Sequence, residues 1–388
     1  MTIVMIGQKG LPARSGGIER HVELLASGLA LRGQRVVVFG RRWYVGDAQA
    51  PAGVEQIFTS GIKTKHLDAI THSFTALLAA MPLRPDVVHL HGTGIALLTP
   101  VARLLFPRAK VVVTFHCLDR RLAKWGWLAK AAFRVGEWLA CHCAHQTLTV
   151  SQSLARYCLE NYGCQVTYVP QLFEAPQCLA APAPRAFGLE PDKYLLFVGR
   201  LIPDKCAHVL VQAYKQASQI KPELFKNLPL VIVGGSAHSD RYVEDLTRQA
   251  GQVPGVVMLG EQSGNALRGL QAHALVHVFP TASEGLSLAI LEAAVSAKPI
   301  IASDLPENRE ATGGLAWEVA ANDPAALAEK LIEVAALPPT ERARVGAAVQ
   351  SHVQKTFVTS LAIDDILNSY QTLLNPCLAV RGESKACS

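Results

Sequence analysis

Charged and aromatic residues are scarce in this chain. Charged residues account for 18% and aromatic residues for 6% of its 388 residues, whereas hydrophobic residues account for 50%. A composition this apolar fits a well-filled core and excludes intrinsic disorder. The net charge of +6 is too small to indicate nucleic-acid binding, so we expect no nucleic-acid partner. The length is sufficient for two domains of ordinary size.

The sequence also lacks a hydrophobic run long enough to cross a membrane, because its longest candidates are interrupted by Pro or Arg. Its nine cysteines do not show the spacing of a small disulfide framework, and no signal peptide precedes the first predicted strand, TIVMIG. We therefore expect reduced thiols and a cytoplasmic protein that does not span the membrane.

Motifs for metals and dinucleotides are missing as well. No Asp-x-Asp pair occurs, and the first predicted βα turn does not have the Gly-x-Gly-x-x-Gly spacing, which argues against NAD. The cluster Cys141–His145 would crowd two Cys and two His onto one helix, with no second ligand pair at a zinc-site spacing. We interpret it as helix packing and predict neither a metal nor a cofactor.

What is present is an alternation of short Val-, Ile- and Leu-rich runs with helical segments, which predicts α/β architecture with doubly wound parallel sheets. An Ala- and Pro-rich linker pattern at 174–191 interrupts the alternation. We predict an N-terminal domain over 1–176 and a C-terminal domain over 177–356, both Rossmann-like. A cleft is expected between them, with functional loops after the strands.

The predicted elements can be stated as ranges. Strands are expected at 3–7, 35–39, 86–90, 110–115, 147–150, 166–169 and 194–199, with four more in the runs LPLVIVGG, GVVMLG, ALVHVFP and KPIIAS. Helices are expected near 18–32, 67–81, 95–105, 122–144, 151–161, 324–336, 339–356 and 357–374.

In the N-terminal half, two strand ends offer candidate site residues. After the first strand, Gly16 and Gly17 allow the backbone to approach a ligand, and Glu19 opens the next helix, where the helix dipole favours a carboxylate. The alternative is a merely flexible loop. His116 ends a buried strand and is placed to bond a sugar hydroxyl or to polarise developing charge. His89 and His91 end the preceding strand and are interpreted as supporting polar groups.

In the C-terminal half, two cations follow the first predicted strand. Arg200 comes directly after it, and Lys205 lies at the approach to the next helix. A planar guanidinium and a point-charge ammonium at one turn suit a leaving diphosphate. The alternative is a solvated basic turn.

Two carboxylates flank a later predicted helix start. Glu284 and Glu292 are eight residues apart. On a continuous helix that spacing corresponds to about 12 Å of rise, close to the span of a nucleotide-diphosphate sugar from its sugar to its ribose. Between them, Gly285, Leu286, Ser287 and Leu288 were expected to form a helix N-terminus suited to the diphosphate. Each Glu also has an ordinary interpretation as a first-turn or exposed residue.

Residues 118–139 combine basic and aromatic side chains. The residues in question are Arg120, Arg121, Lys124, Lys130 and Arg134 with Trp125 and Trp127. This pattern suits peripheral contact with an anionic membrane surface, and an ordinary surface helix is an equal alternative.

Five motifs together resemble the family 4 glycosyltransferases, retaining enzymes with the GT-B fold. The motifs are Gly-Gly-Ile-Glu at 16–19, Thr-Phe-His at 114–116, Val-Ser-Gln-Ser at 150–153, Val-Gly-Arg-Leu…Lys at 198–205 and Glu-Gly-Leu-Ser-Leu…Glu at 284–292. Each is weak alone, but they occur in the family's order over most of the chain. The first turn, 10–19, resembles the members that build bacterial surface polysaccharides.

The resemblance implies a role for each domain. The C-terminal domain would bind a nucleotide-sugar donor, the N-terminal domain would bind a saccharide or lipid-linked saccharide acceptor, and the segment 357–388 would return to the N-terminal domain. Members of the family need no metal. A hexose or deoxyhexose would be transferred, and an undecaprenyl-linked acceptor follows from the subgroup resemblance.

The resemblance also implies residue roles. Arg200 and Lys205 would hold the diphosphate, Glu284 would bind donor sugar hydroxyls and Glu292 the ribose. His116 and Gly17 would lie near the reacting centre.

The chain departs from the family at two places. Cys206 stands where the family usually has Gly, and Ser287 and Leu288 replace residues of the family's Glu-Gly-Phe-Gly segment. Other classes of function stay open from sequence alone, namely a nucleotide-sugar 2-epimerase on the same fold and a non-catalytic binding module.

Overall fold

The computed structural model describes residues 1–14, 16–64, 67–122, 125–174, 184–236 and 239–375. The chain divides into two compact units: unit 1 is Met1–Glu174 with Phe357–Ser388, and unit 2 is Ala175–Thr356. The predicted boundary at 176/177 and most of the predicted linker lie outside the described residues.

Unit 1 is built on a seven-stranded parallel sheet. Its strands are β1 (Thr2–Ile6), β2 (Arg35–Gly40), β3 (Val54–Phe58), β4 (Val87–His91), β5 (Lys110–Phe115), β6 (Gln146–Thr149) and β7 (Thr167–Tyr168). Its helices are α1 (Gly17–Leu31), α2 (Arg42–Val45), α3 (Asp68–Ala80), α4 (Thr99–Leu105), α5 (Trp127–Cys143), α6 (Gln152–Tyr162) and the chain's last helix, α15 (Thr359–Leu374). The strand order is β3-β2-β1-β4-β5-β6-β7, so the winding reverses between β1 and β4.

Unit 2 is built on a six-stranded parallel sheet. Its strands are β8 (Leu195–Val198), β9 (Leu230–Val233), β10 (Val256–Met258), β11 (Val276–Phe279), β12 (Ile300–Ser303) and β13 (Trp317–Val319). Its helices are α7 (Ala207–Ile220), α8 (Pro222–Phe225), α9 (Asp240–Gly251), α10 (Gly264–Ala272), α11 (Leu288–Ala294), α12 (Pro306–Thr312), α13 (Pro324–Ala336) and α14 (Pro339–Thr356). The order β10-β9-β8-β11-β12-β13 reverses between β8 and β11.

The predicted α/β class with parallel sheets is confirmed. The apolar runs are strands because helices cover both sheet faces; Val36 through Phe39 of β2, for example, are fully buried. The last helix completes the core of unit 1. It contacts α1 so closely that a Cβ added at Gly28 would lie 2.3 Å from Ile363 Cδ1.

The structure differs from the predicted elements at several places. The predictions omitted β3, whose sequence VEQIF is half polar, and β13, which is only three residues long. The predicted helix 95–105 is a 3₁₀ turn at Ile95–Leu98 followed by α4, which has Pro in its first turn. Helix α5 begins at Trp127 instead of 122, directly after Gly126. The predicted helix at 357–374 begins at Thr359.

Candidate functional site

The candidate residues of unit 2 lie where the strand order of its sheet reverses, between β8 and β11. The loop after β8 carries Arg200 and Lys205, and the loop after β11 carries Glu284. Because β8 and β11 are hydrogen-bonded neighbours, their carboxyl ends open at the same place. In open α/β sheets this crevice is the usual ligand position.

Lys205 and Glu284 form an ion pair across this point. The Lys205 ammonium contacts Oε1 of Glu284, and the two side chains are only 16% and 12% exposed. Arg200 is exposed and makes no ion pair with the described residues. One cation at the turn is therefore held by a carboxylate and the other is available to an anion. The structure thus brings into contact two residues that were predicted to have separate roles.

Main-chain contacts fix the two loops against each other. Asp204 O accepts hydrogen bonds from Ala282 N, at 2.9 Å, and from Thr281 Oγ1, at 3.0 Å. A third loop, after β9, packs here too, because a Cβ on Gly234 would lie 1.8 Å from Gly199 O. Gly234 has φ of +153°, in the region that favours glycine. The pattern Val-Gly-Gly after a buried strand was the sequence signal for this loop, and the predicted site did not include it.

The helix after Glu284 begins later than the sequence predicted. Residues 284–287 are not helical, and α11 starts at Leu288 with Ser287 as its N-cap residue. Glu292 is therefore little more than one turn into the helix, so the prediction of two turns and the helical rise of about 12 Å were wrong. Gly285, Leu286 and Ser287 are buried, whereas Leu288 and Glu292 are half-buried.

Cys206 has left-handed backbone geometry, with φ of +54°. This conformation favours glycine, which fits the glycine that the family resemblance implies at this position. The thiol is buried and lies 3.2 Å from Asn322 Oδ1. Burial raises the pKa of the Cys206 thiol to about 11, so it is not a reactive thiolate.

In unit 1, the predicted turn after β1 is held by Glu19. Gly16 has φ of +102° and is the N-cap residue of α1, and Gly17 is exposed. Glu19 is buried and accepts a hydrogen bond from Lys9 N at 3.3 Å. A Cβ on Gly16 would lie 2.0 Å from Glu19 Oε2. The structure therefore shows Glu19 ordering the glycine turn.

His116 belongs to a cluster of buried histidines at the carboxyl ends of β4 and β5. Its Nε2 lies 3.2 Å from Nδ1 of His91, and its ring meets that of His21 edge-on at 4.8 Å between centroids. His89 contacts Thr114 Oγ1 and the hydroxyl of Tyr370, both at 2.6 Å. His91 supports His116 directly, as its interpretation from sequence stated.

The cluster is electrically neutral near pH 7 because it is buried. Burial lowers the pKa of His21 to about 3. Burial, with repulsion from the neighbouring imidazoles, also lowers the pKa values of His89, His91 and His116 well below the usual range. Four ring nitrogens have no hydrogen-bond partner in the described structure: both of His21, Nε2 of His91 and Nδ1 of His116. Buried nitrogens are normally bonded, so each of these atoms has unused hydrogen-bonding capacity.

The site residues predicted from sequence did not include His21. It lies on α1, two residues after Glu19, at one of the buried positions of the helix. Only the folding of α1 over the ends of β4 and β5 brings it to His116. Its sequence signal was a polar aromatic residue on the otherwise apolar inner face of a helix.

The cysteine-histidine cluster is part of the packing of α5. Within the described residues no group of three or more His, Cys, Asp or Glu side chains is arranged to hold a metal. His145 Nδ1 accepts a hydrogen bond from Val111 N at 2.9 Å, and the Cys164 thiol contacts Cys141 O at 3.1 Å.

Two groups of known sequences match this chain. Residues 192–336 match the family described as "Glycosyl transferases group 1", and residues 15–171 match "Glycosyltransferase Family 4". These two ranges contain the candidate residues of unit 2 and of unit 1 respectively.

Individual relatives are between about a quarter and a third identical to this chain over their aligned residues. It is 31% identical to a D-inositol 3-phosphate glycosyltransferase of Stackebrandtia nassauensis, over 52% of this chain and 46% of that protein. It therefore spans about half the length of this relative. It is 26% identical to a glycogen synthase of Mycobacterium tuberculosis, over 90% of both chains.

Solved structures share the fold. Sucrose-phosphate synthase of Thermosynechococcus elongatus superposes with a TM-score of 0.82 at 21% identity, covering 96% of this chain and 98% of that one. HepE of Anabaena, solved with UDP and glucose, superposes with a TM-score of 0.76 at 17% identity, covering 96% and 100%.

Proposed function

We propose that this chain, a family 4 glycosyltransferase with the GT-B fold, transfers a sugar from a nucleotide-diphosphate donor to an acceptor hydroxyl. The predicted fold and enzyme class are confirmed. The donor class is supported by solved neighbours of the same fold, since HepE of Anabaena was solved with UDP-glucose. In this proposal unit 2 binds the donor and unit 1 binds the acceptor.

The observation that carries the proposal is the arrangement of charge at the sheet reversal of unit 2. The loop after β8 carries the exposed guanidinium of Arg200 and the ammonium of Lys205. Lys205 pairs with Glu284 on the neighbouring loop, after β11. The two cations suit a diphosphate, and the Glu284 carboxylate suits sugar hydroxyls. Glu292, half-buried on α11, is proposed to bind the ribose.

The proposed chemistry retains the anomeric configuration. The bond between the anomeric carbon and the diphosphate oxygen breaks, and its electron pair leaves with the diphosphate. Arg200 and Lys205 neutralise this developing charge. The acceptor oxygen then bonds to the same face of the anomeric carbon and gives its proton to a phosphate oxygen. No protein nucleophile and no metal ion take part in the proposed reaction.

Unit 1 contributes neutral hydrogen-bonding groups. The unpartnered nitrogens of His21, His91 and His116 are proposed to bind sugar hydroxyls. Gly16 and Gly17 let the turn approach the substrate closely. Because the imidazoles are neutral, each can donate through one nitrogen and accept through the other.

We further propose that the product is a bacterial surface polysaccharide or lipopolysaccharide, built in the cytoplasm on a lipid-linked acceptor. The resemblance of the first turn, 10–19, supports this finer assignment. The predicted membrane contact of 118–139 belongs to the same proposal.

Incubation with a panel of nucleotide sugars, with and without a lipid-linked saccharide, tests the reaction by mass spectrometry of the products. Glycosylated acceptor and free nucleoside diphosphate are expected only when both substrates are present. An isomerised sugar formed without acceptor would instead indicate an epimerase. Tight donor binding without turnover would indicate a binding module.

The site assignment has its own test. Glu284→Ala is expected to abolish turnover, because it removes the sugar-binding carboxylate and the partner of Lys205. Glu223→Ala, an exposed residue of α8, is the matched control and should retain full activity. Unchanged activity of Glu284→Ala would refute the assignment.

A further inference from the structure

Helix α5 packs against unit 1 through small residues. Its buried positions are Gly136, Glu137 and Ala140. A Cβ on Gly136 would lie 2.2 Å from Thr93 O, so the helix lies directly on the main chain beneath it. Glu137 is fully buried and accepts hydrogen bonds from the hydroxyls of Tyr157 and Tyr162, both at 2.7 Å. The helix is therefore firmly docked.

Four of the six large apolar residues of α5 point outward, whereas Phe133 and Leu139 are half-buried. Trp127 is 76% exposed, Leu128 66%, Val135 51% and Trp138 49%. At 100° per residue these four positions, with Ala131 between them, fall within about 100° of the helix circumference. This face lies opposite Gly136. A helix of a globular protein normally turns its large apolar side chains inward, so the arrangement is the reverse of ordinary packing.

The exposed charged side chains of α5 itself are of one sign. Residues 92–136 contain eight Lys or Arg and a single carboxylate, Asp119, whose Oδ2 accepts a hydrogen bond from Thr93 Oγ1. Lys130 and Arg134 are exposed on α5 itself. The one carboxylate of α5, Glu137, is buried, so the outer surface of the helix presents no negative charge.

We propose that the outward face of α5 docks onto an anionic bilayer, with Trp127, Leu128, Val135 and Trp138 inserted at the interface. Lys130 and Arg134 contact the lipid phosphates. Apolar residues that include Trp, flanked by Lys and Arg, are the composition that holds a helix in the plane of a membrane interface. None of the described helices is long and apolar enough to cross a membrane.

A second copy of the chain fits this face less well. In a symmetric dimer the same patch meets itself, so the Lys130 and Arg134 side chains would oppose their own counterparts. Charge complementarity therefore favours an anionic surface. The docking proposal does not depend on which sugar or acceptor the enzyme uses.

Co-sedimentation of the full chain with vesicles tests the proposal. We expect binding to vesicles that contain phosphatidylglycerol, weaker binding at high salt, and little binding to phosphatidylcholine alone. The triple substitution Trp127→Ser, Leu128→Ser, Trp138→Ser should weaken partitioning at least about tenfold, since each side chain is exposed and its loss leaves the core intact. Lys130→Glu with Arg134→Glu should weaken it about thirtyfold or more, since each basic residue near the surface contributes about fivefold.

Two controls and a second readout make the test decisive. Trp43→Ser replaces another half-exposed Trp, and Lys215→Glu with Arg241→Glu reverses two exposed charges of unit 2; both should bind vesicles as the parent does. Vesicle binding that does not depend on lipid charge, or that is unchanged in both α5 variants, would overturn the proposal. So would concentration-dependent self-association that the triple variant abolishes. Binding of UDP-glucose, measured in parallel by calorimetry, reports separately on the proposed reaction.

Discussion

The two units use the same sheet architecture but present opposite kinds of chemistry at their strand ends. At the reversal of unit 2 the side chains are charged: the Lys205–Glu284 pair and the exposed Arg200. At the ends of β4 and β5 in unit 1 they are buried imidazoles that burial keeps neutral. The parallel sheet therefore determines where a site lies, and the side chains on the loops determine its charge.

This difference fits the substrates proposed for each unit. A diphosphate needs cations at the moment when it leaves, and those cations must stay ionised. The acceptor hydroxyls proposed for unit 1 can be bound by neutral donors and acceptors, and a charge buried in unit 1 would cost several kcal/mol. Substitutions at four positions test the two sites: Lys205, His116, His21 and Cys206.

Lys205→Met should have the largest effect. It removes one of the two cations proposed to stabilise the leaving group and leaves Glu284 without its partner. We expect kcat/KM to fall about 10³-fold, equivalent to about 4 kcal/mol. The unfolding free energy should fall by about 1 to 3 kcal/mol in urea titrations.

The double variant Lys205→Met with Glu284→Gln separates the loss of activity from the loss of stability. It should regain stability, because no unpaired carboxylate remains, while its activity stays low. If the single variant keeps activity within tenfold of the parent, Lys205 does not stabilise the leaving group.

His116→Phe tests the neutral cluster of unit 1. The substitution keeps a buried ring but removes both nitrogens, so we expect kcat to fall about 10²-fold in steady-state assays. His72→Phe is the control, because its ring is also buried but bonds only Gly40 O in the described structure. Equal losses in the two variants would mean that His116 acts through packing alone.

Acid should destabilise the fold through the buried histidines. The folded pKa of His21 is about 3, whereas an unfolded histidine titrates near pH 6.5. Below that pH the imidazole of His21 is protonated in the unfolded chain but stays neutral in the folded chain. Stability is therefore complete above about pH 6.5 and declines as the pH falls towards about 3.

His21→Phe measures this contribution. From pH 7 to pH 5 the parent should lose about 2 kcal/mol through His21 alone, and the variant should lack that part of the decline. Urea unfolding at both pH values provides the measurement, and exposed His142→Phe is the control. An unchanged decline in the His21 variant would contradict the assignment.

Substitutions at Cys206 should have the smallest effect, and it should be on stability alone. Both Cys206→Gly and Cys206→Ala lose the thiol contact with Asn322, but only Gly relieves the left-handed backbone. We expect the Gly variant to be more stable than the Ala variant by about 1 kcal/mol in urea, with activity unchanged in both. An Ala variant as stable as the Gly variant would show that the backbone at 206 is not strained.

The sequence predicted residues at strand ends but not their partners. Arg200, Lys205 and Glu284 could be found because the loops after parallel strands carry function, whatever the strand order. The contact of Lys205 with Glu284 depends on β8 lying beside β11, which chain order does not specify. His21 was missed because only the folded position of α1 brings it to His116. The start of α11 at Leu288 was missed because Gly285 to Ser287 form a non-helical loop before it.

The last helix has a consequence for the order in which the chain folds. Tyr370 of α15 contacts His89, 281 residues earlier in the chain, and Ile363 packs against Gly28. Unit 2 is one continuous segment, whereas the core of unit 1 is complete only after α15 has been synthesised. During translation, residues 1–174 therefore have an incomplete core until unit 2 and then α15 have been synthesised. The first part of the protein to be made is in this respect the last to be finished.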